Sequence, residues 1–90
     1  MEMGYSIYAK VRERIARDCN YLCAYCGVKV VIGAHGGLWL ATIDHKIPIS
    51  RGGTWKRYNL TCACKRCNQL KADRTAEEFM ALPAYLREVS

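Results

Sequence analysis

Two Cys-x-x-Cys pairs constrain the fold of this chain more than any other feature. Cys23 and Cys26 form the first pair, Cys64 and Cys67 form the second, and 37 residues separate the two pairs. Two residues between cysteines let both thiolates reach one metal ion from a tight turn, and four thiolates form a tetrahedral site for structural zinc. In so short a chain the free energy of zinc binding, on the order of 10 kcal/mol, becomes free energy of folding. The pattern therefore predicts a structural zinc site.

Paired cysteines can also form disulfides, iron sites or redox dithiols, and the cellular compartment decides among these. The N-terminus shows no basic segment followed by an apolar run, and no apolar stretch approaches the ~18 residues of a membrane span. We therefore expect a cytoplasmic protein (in the host-cell cytoplasm if the source is viral) with reduced thiols and no membrane contact. Cys19 and Cys62 are left over, and we expect both to be buried free thiols.

The charge of the chain favours a polyanionic partner. The formal net charge is +6, from 14 Lys and Arg residues against 8 Asp and Glu residues. Such a balance fits nucleic acid, although many basic domains bind none. Lys10, Arg14 and Arg17 would form a basic stripe on one helix, which is either a solvated face or an edge that faces phosphate.

Local patterns predict a small α+β domain. Apolar spacing predicts an amphipathic helix over residues 6–17 with Ser6 as its N-cap. Residues 28–32 are rich in β-branched side chains, and we expect them to pair with the following extended segment in a hairpin over 28–45. A helix is expected from Cys64 to residue 72, and Thr75 with Glu78 forms a capping box that opens the last helix.

Asp44 and His45 stand midway between the thiol pairs, and Asn68 directly follows the last cysteine. Taken alone, an Asp-His dipeptide is simply a polar pair on a strand. Neighbouring side chains of a regular strand point to opposite faces. A site shared by these two residues therefore requires the strand to twist or end there.

The ordered combination of these motifs resembles the HNH endonuclease family. The matching segments are Ile43-Asp44-His45-x-x-Pro48, Gly52-Gly53, Asn59-Leu60 and Cys64-x-x-Cys67-Asn68-x-x-Lys71. The resemblance covers about residues 19–79 of a single domain that spans residues 1–90. It implies a small α+β fold with a ββα-metal (His-Me finger) core, a two-CxxC zinc site and flanking N- and C-terminal helices.

The resemblance implies a role for each matched polar residue. Asp44 corresponds to the carboxylate that binds the catalytic divalent metal, and His45 to the general base that activates water. Asn59 corresponds to the residue that braces the loop between the strands. Asn68 corresponds to a second metal ligand, which is His in many members and Asn in others. Two oxygen ligands suit Mg²⁺ or Mn²⁺ better than Zn²⁺.

The resemblance implies double-stranded DNA as the substrate. We expect phosphate contacts that give low sequence specificity and a strong dependence on salt. The candidate DNA-binding residues are Arg51, Lys56, Arg57, Lys65, Arg66 and Lys71. The predicted activity is metal-dependent hydrolysis of DNA, by nicking or double-strand cleavage. The alternatives are a catalytically silent zinc module that binds nucleic acid or protein, and a nuclease that needs a protein partner or a homodimer.

Overall fold

The computed structural model describes residues 6–33 and 35–87. Within these ranges the regular elements are α1 (Ile7–Asp18), β1 (Ala41–His45), β2 (Leu60–Cys64), α2 (Lys65–Lys71), α3 (Ala76–Ala81) and α4 (Ala84–Arg87). The predicted α+β class is confirmed, and β1, β2 and α2 form the expected ββα unit. None of the helices in the described ranges has the length and apolar content that a bilayer crossing needs.

The first helix forms as its sequence predicts and packs on both strands. The Ser6 hydroxyl accepts a hydrogen bond from the Ala9 N–H at 3.0 Å, which satisfies one of the free amides at the helix start. Ile15 and Ala16, in the C-terminal half, are buried in the core that the helix shares with the strands. The apolar stripe of α1 therefore covers the small sheet.

The two strands pair with each other, and the predicted hairpin over residues 28–45 is wrong. β1 and β2 run antiparallel, with Ala41 opposite Cys64 and His45 opposite Leu60. Residues 28–32 contribute only isolated bridges to residues 22 and 40. Every residue of β2 is buried, so pairing with β2 places β1 against the core, whereas the β-branched run stays partly exposed at the edge.

No residue separates β2 from α2. Cys64 ends the strand and is the N-cap of the helix, where its Sγ accepts a hydrogen bond from the Cys67 N–H at 3.4 Å. This junction fixes the direction of α2 relative to the sheet. The start of α3 is tied to the end of β1, because the Ala76 N–H donates to the Lys46 carbonyl at 2.7 Å. The predicted capping box of α3 is present.

Hydrogen bonds of one asparagine and one glycine stabilise the loop between the strands. The Asn59 amide oxygen accepts from the Ile47 N–H at 2.9 Å, and the amide nitrogen donates to the carbonyls of Ile47 and Thr54 at 3.0 and 2.8 Å. The Gly53 N–H donates to the Pro48 carbonyl at 2.9 Å. A Cβ at position 53 would lie 1.7 Å from the Ile47 carbonyl oxygen, so only glycine fits there.

We expect Gly53→Ala to lower the free energy of unfolding by about 3 kcal/mol, because the added methyl group must push the loop backbone apart. Gly52→Ala is the matched control. Gly52 has a φ of 91° but open space around the Cβ position, so this change should cost only about 1 kcal/mol. Urea unfolding at a fixed zinc concentration measures both. Equal losses in the two variants would contradict the close approach at position 53.

Candidate nuclease and metal sites

The four paired cysteines meet in one cluster. The sulfur atoms of Cys23, Cys26, Cys64 and Cys67 all lie within 4.8 Å of one another. A tetrahedron with zinc–sulfur bonds of ~2.3 Å has edges of about 3.8 Å. The Sγ atoms of Cys26 and Cys64 are 3.8 Å apart, which matches that edge. The cluster can therefore hold a zinc ion.

Backbone amides point at the sulfur atoms from both turns. The N–H groups of Tyr25 and Cys26 donate to Cys23 Sγ at 3.4 and 3.5 Å, as the Cys67 N–H does to Cys64 Sγ in the second turn. Such contacts stabilise thiolates. Burial raises the pKa of both Cys64 and Cys67 above the ordinary thiol value. Zinc binding must therefore release protons, and zinc affinity falls as the pH falls.

The two remaining cysteines lie outside the cluster. Cys62 is buried, and burial raises its pKa to about 12, which keeps the thiol protonated and unreactive. Cys19 is only half-buried, with its Sγ 3.7 Å from the Thr61 hydroxyl. Both are free thiols. The prediction of a buried thiol is therefore confirmed for Cys62 and is wrong in degree for Cys19.

Asp44 is held between the zinc-binding turn and α2. Its carboxylate is 3% exposed, and Oδ2 accepts a hydrogen bond from the Tyr25 hydroxyl. Burial, and next the contact with Asp44, raise the pKa of Tyr25 far above its ordinary value, so the phenol remains a donor. The Lys71 Nζ lies 3.2 Å from Asp44 Oδ1 and donates to the His45 carbonyl at 2.9 Å. Sequence reasoning missed Tyr25, although its position inside the first Cys-x-x-Cys turn placed it beside the predicted metal site.

Asn68 lies in the same region and is tied to β1 through its amide nitrogen. Its amide nitrogen donates to the Thr42 hydroxyl at 2.9 Å and to the Ile43 carbonyl at 3.4 Å. Both partners belong to β1, so the helix residue is fixed against the strand that carries Asp44. The amide oxygen accepts no hydrogen bond from the part of the chain that the structure describes, and it is available as a ligand.

His45 is the last residue of β1 and packs edge-on against Trp55. The two ring centroids are 4.3 Å apart and the planes meet at 90°. His45 Nε2 is buried and finds no hydrogen-bond partner among the described residues. The other ring nitrogen, Nδ1, is the candidate for contact with water in the cleft. Nothing in the sequence indicated the Trp55 contact, which crosses the loop between the strands.

Asp44, His45 and Asn68 line one shallow cleft of about 240 Å³, together with Lys71. The strand ends at His45, which removes the conflict between neighbouring side chains on opposite faces. Asn59 is not part of the lining, because its amide is hydrogen-bonded to the backbone of the loop between the strands. The Asn68 oxygen is free, and each carboxylate oxygen of Asp44 keeps a second lone pair. These hard donors fit a hydrated Mg²⁺ or Mn²⁺ ion.

Two of the predicted DNA-binding residues are engaged elsewhere. Lys71 is 1% exposed, and its ammonium contacts the Asp44 carboxylate and the His45 carbonyl. The prediction that Lys71 contacts phosphate at the surface is therefore wrong. Arg51 forms a bidentate ion pair with Glu78, in which Nη1 contacts Oε1 and Nη2 lies 3.0 Å from Oε2. The Arg51 guanidinium lowers the pKa of Glu78 to about 2. A DNA phosphate would therefore have to replace Glu78 as the partner of Arg51.

The remaining four basic candidates differ in whether their side chains already contact other groups of the protein. Arg57 bonds the Asp18 carboxylate at 3.3 Å and the Leu60 carbonyl at 2.7 Å. Arg66 lies over the Trp39 ring, 5.5 Å from its centroid. The other two, Lys56 and Lys65, are exposed and make no ion pair within the described ranges.

We expect Cys64→Ala to abolish stoichiometric zinc binding and the cooperative unfolding transition, because one lost thiolate opens the tetrahedron. Cys62→Ala is the matched control, since Cys62 lies two residues away in the same strand but outside the cluster. This control should keep one zinc ion per chain. Atomic absorption of the purified variants and thermal unfolding measure both effects. Zinc retained by a well-folded Cys64→Ala variant would refute the site.

The family model of the HNH endonucleases matches residues 23–74, which are 52 of the 90 residues. The matched segment contains all four clustered thiols, both strands, α2 and the cleft at Asp44. No curated protein matches the sequence. Because the family match covers more than half of the chain, the chain belongs to the HNH endonuclease family.

Proposed function

We propose that the protein is a metal-dependent endonuclease that hydrolyses phosphodiester bonds of double-stranded DNA in the cleft at the end of β1. The observation that carries this proposal is the convergence of Asp44, His45 and Asn68 on one small cleft. A carboxylate, an imidazole and an amide oxygen supply the base and the metal ligands that phosphodiester hydrolysis needs. Membership of a family of endonucleases supports the same reaction class.

His45 is proposed to act as the general base through Nδ1. Burial of Nε2 and the edge-on contact with Trp55 support a fixed ring with only one nitrogen toward the cleft. Imidazole accepts a proton near neutral pH, so Nδ1 can take a proton from a water molecule. The water oxygen attacks phosphorus as the bond to the 3′ oxygen breaks.

Asp44 and Asn68 are proposed to hold a catalytic Mg²⁺ or Mn²⁺ ion. When bound, such an ion stabilises the negative charge that develops on the phosphate and on the leaving oxygen. The zinc cluster would take no part in the reaction, because four thiolates leave no open coordination position. Its contribution is to orient the residues next to it, namely Asn68 after Cys67 and Tyr25 between the first two thiols.

We propose that the DNA backbone passes over Trp55 onto α1. Trp55 contacts His45 and also lines a second cleft of about 650 Å³ between α1 and the loop. The basic stripe of α1 (Lys10, Arg14 and Arg17) lines that cleft as well. Phosphate contacts of this kind position a duplex without reading its sequence, which supports low sequence specificity.

A catalytically silent binding module remains the second candidate. The observation in its favour is that the Asp44 carboxylate already contacts the Lys71 ammonium. The presence of Asn68 and His45 in the lining of the same cleft favours catalysis instead. A requirement for a protein partner or a second copy of the chain, and a cytoplasmic location, also stay predictions.

We expect the purified protein to convert supercoiled plasmid to nicked or linear forms with Mg²⁺ or Mn²⁺ and to leave it intact with EDTA. His45→Ala should reduce the rate by at least about 100-fold, because the proton acceptor is removed. His35→Ala is the matched control, since His35 is exposed and outside the cleft. Gel electrophoresis of timed samples gives the rates. Plasmid that stays supercoiled with every metal would contradict the proposal that the protein cleaves DNA without a partner.

We expect Lys56→Gln combined with Lys65→Gln to weaken DNA binding and to flatten its salt dependence. If each lysine contacts one phosphate, the slope of log K against log salt should fall by about 1.8. Arg51→Gln combined with Glu78→Gln is the matched control, since it removes an internal ion pair and leaves the net charge unchanged. Fluorescence anisotropy at several salt concentrations gives the slopes. An unchanged slope in the lysine variant would exclude both residues from the DNA contact.

A further inference from the structure

The candidate metal ligand Asp44 already has a cation beside it. The Lys71 Nζ lies 3.2 Å from Asp44 Oδ1, and the two side chains are 1% and 3% exposed. The same ammonium donates to the His45 carbonyl at 2.9 Å. A buried carboxylate without a counter-charge is strongly unfavourable. Lys71 therefore places a positive charge at the carboxylate where a metal ion would place one.

The ammonium and a divalent ion would compete for one carboxylate. Lys71 lines the same cleft as Asp44 and Asn68. An ion held by those two residues would lie within a few ångströms of the ammonium, in a region of low exposure where repulsion between like charges is poorly screened. The other carboxylate oxygen accepts from the Tyr25 hydroxyl, which is neutral and adds no repulsion.

We propose that Lys71 is a resident counter-cation that keeps the Asp44 site folded without divalent metal and lowers the affinity of the site for that metal. Binding of the divalent ion displaces the ammonium from Asp44 Oδ1. The inference rests on the proposed function, because it takes Asp44 as a ligand of the catalytic metal. Lys71 is thus a positioning residue that sets the metal requirement of the protein.

Mn²⁺ titration of the zinc-loaded protein without DNA, followed by electron paramagnetic resonance of free Mn²⁺, tests this directly. Lys71→Met keeps an unbranched side chain, one atom shorter, and removes the charge. We expect this variant to bind Mn²⁺ at least about tenfold more tightly than the wild type. We also expect saturating Mn²⁺ to raise the melting temperature of this variant by more degrees than it raises the melting temperature of the wild type. Unchanged or weaker Mn²⁺ binding by a folded Lys71→Met variant would overturn the inference.

Tyr25→Phe is the matched control. It removes the contact to the other carboxylate oxygen without changing the charge. We expect its Mn²⁺ affinity to change by less than that of Lys71→Met, because Tyr25→Phe leaves the Lys71 ammonium beside the carboxylate. A gain as large as that of Lys71→Met would mean that loosening Asp44 is sufficient to admit the metal. That result would also overturn the inference.

A measurement on the wild type covers the case in which Lys71→Met does not fold. The buried ammonium should give a slowly exchanging ¹⁵N-bound proton signal, which Lys71→Arg identifies by its loss. Adding Mg²⁺ should shift this signal and speed its exchange, because the ammonium leaves Asp44. A signal unaffected by saturating Mg²⁺ would contradict displacement.

These outcomes separate the inference from the proposed nuclease activity. A wild type that cleaves plasmid, together with a Lys71→Met variant of unchanged Mn²⁺ affinity, overturns only the role of Lys71. A wild type that cuts no plasmid, with tighter Mn²⁺ binding in Lys71→Met, overturns only the nuclease activity. Absence of Mn²⁺ binding in every variant overturns the role of Lys71, and the plasmid assay alone decides the nuclease activity.

Discussion

The meeting of four thiols at the junction of β2 and α2 is the constraint on which the rest of the structure depends. Cys64 ends the strand and caps the helix, and Cys67 lies in the first turn that follows. Asn68 is the next residue, so its position is tied to that of the thiol cluster. From the opposite turn, Tyr25 reaches across to the Asp44 carboxylate. The thiol cluster thus contacts the cleft from two sides, and the free energy of binding zinc there would support both contacts.

Around the cleft, polar groups occupy positions that a small domain would normally fill with apolar side chains. Asp44, Asn59 and Lys71 are all buried, and each has hydrogen-bond or ion-pair partners. Burying such groups costs desolvation even when they are paired. A core of this size supplies little surplus stability of its own. A zinc ion bound by the four thiols would offset that cost.

Sequence patterns predicted the parts of the fold that depend on neighbours along the chain or on a fixed ligand geometry. The spacing of the thiols, the Ser6 cap and the boundaries of α1 belong to that group. The pairing of the strands does not belong to that group, because residues 28–32 carry a stronger local β signal than Leu60–Cys64. Burial across the chain decides which of these segments pairs with β1. The engagement of Lys71 with Asp44 was equally invisible, since a basic residue after the motif looks the same whether it faces solvent or the core. Partner choice by charged side chains depends on tertiary contacts that no local pattern records.

Diffraction from a crystal soaked in Mn²⁺, with anomalous data collected at the zinc and manganese edges, tests the central claim most directly. Two metal sites of different identity are predicted in each chain. Zinc should lie among the sulfur atoms of Cys23, Cys26, Cys64 and Cys67, and manganese between the Asp44 carboxylate and the Asn68 amide oxygen. Zinc outside the sulfur cluster, or a manganese-free cleft at saturating Mn²⁺, would contradict the division of the molecule into a structural and a catalytic metal site.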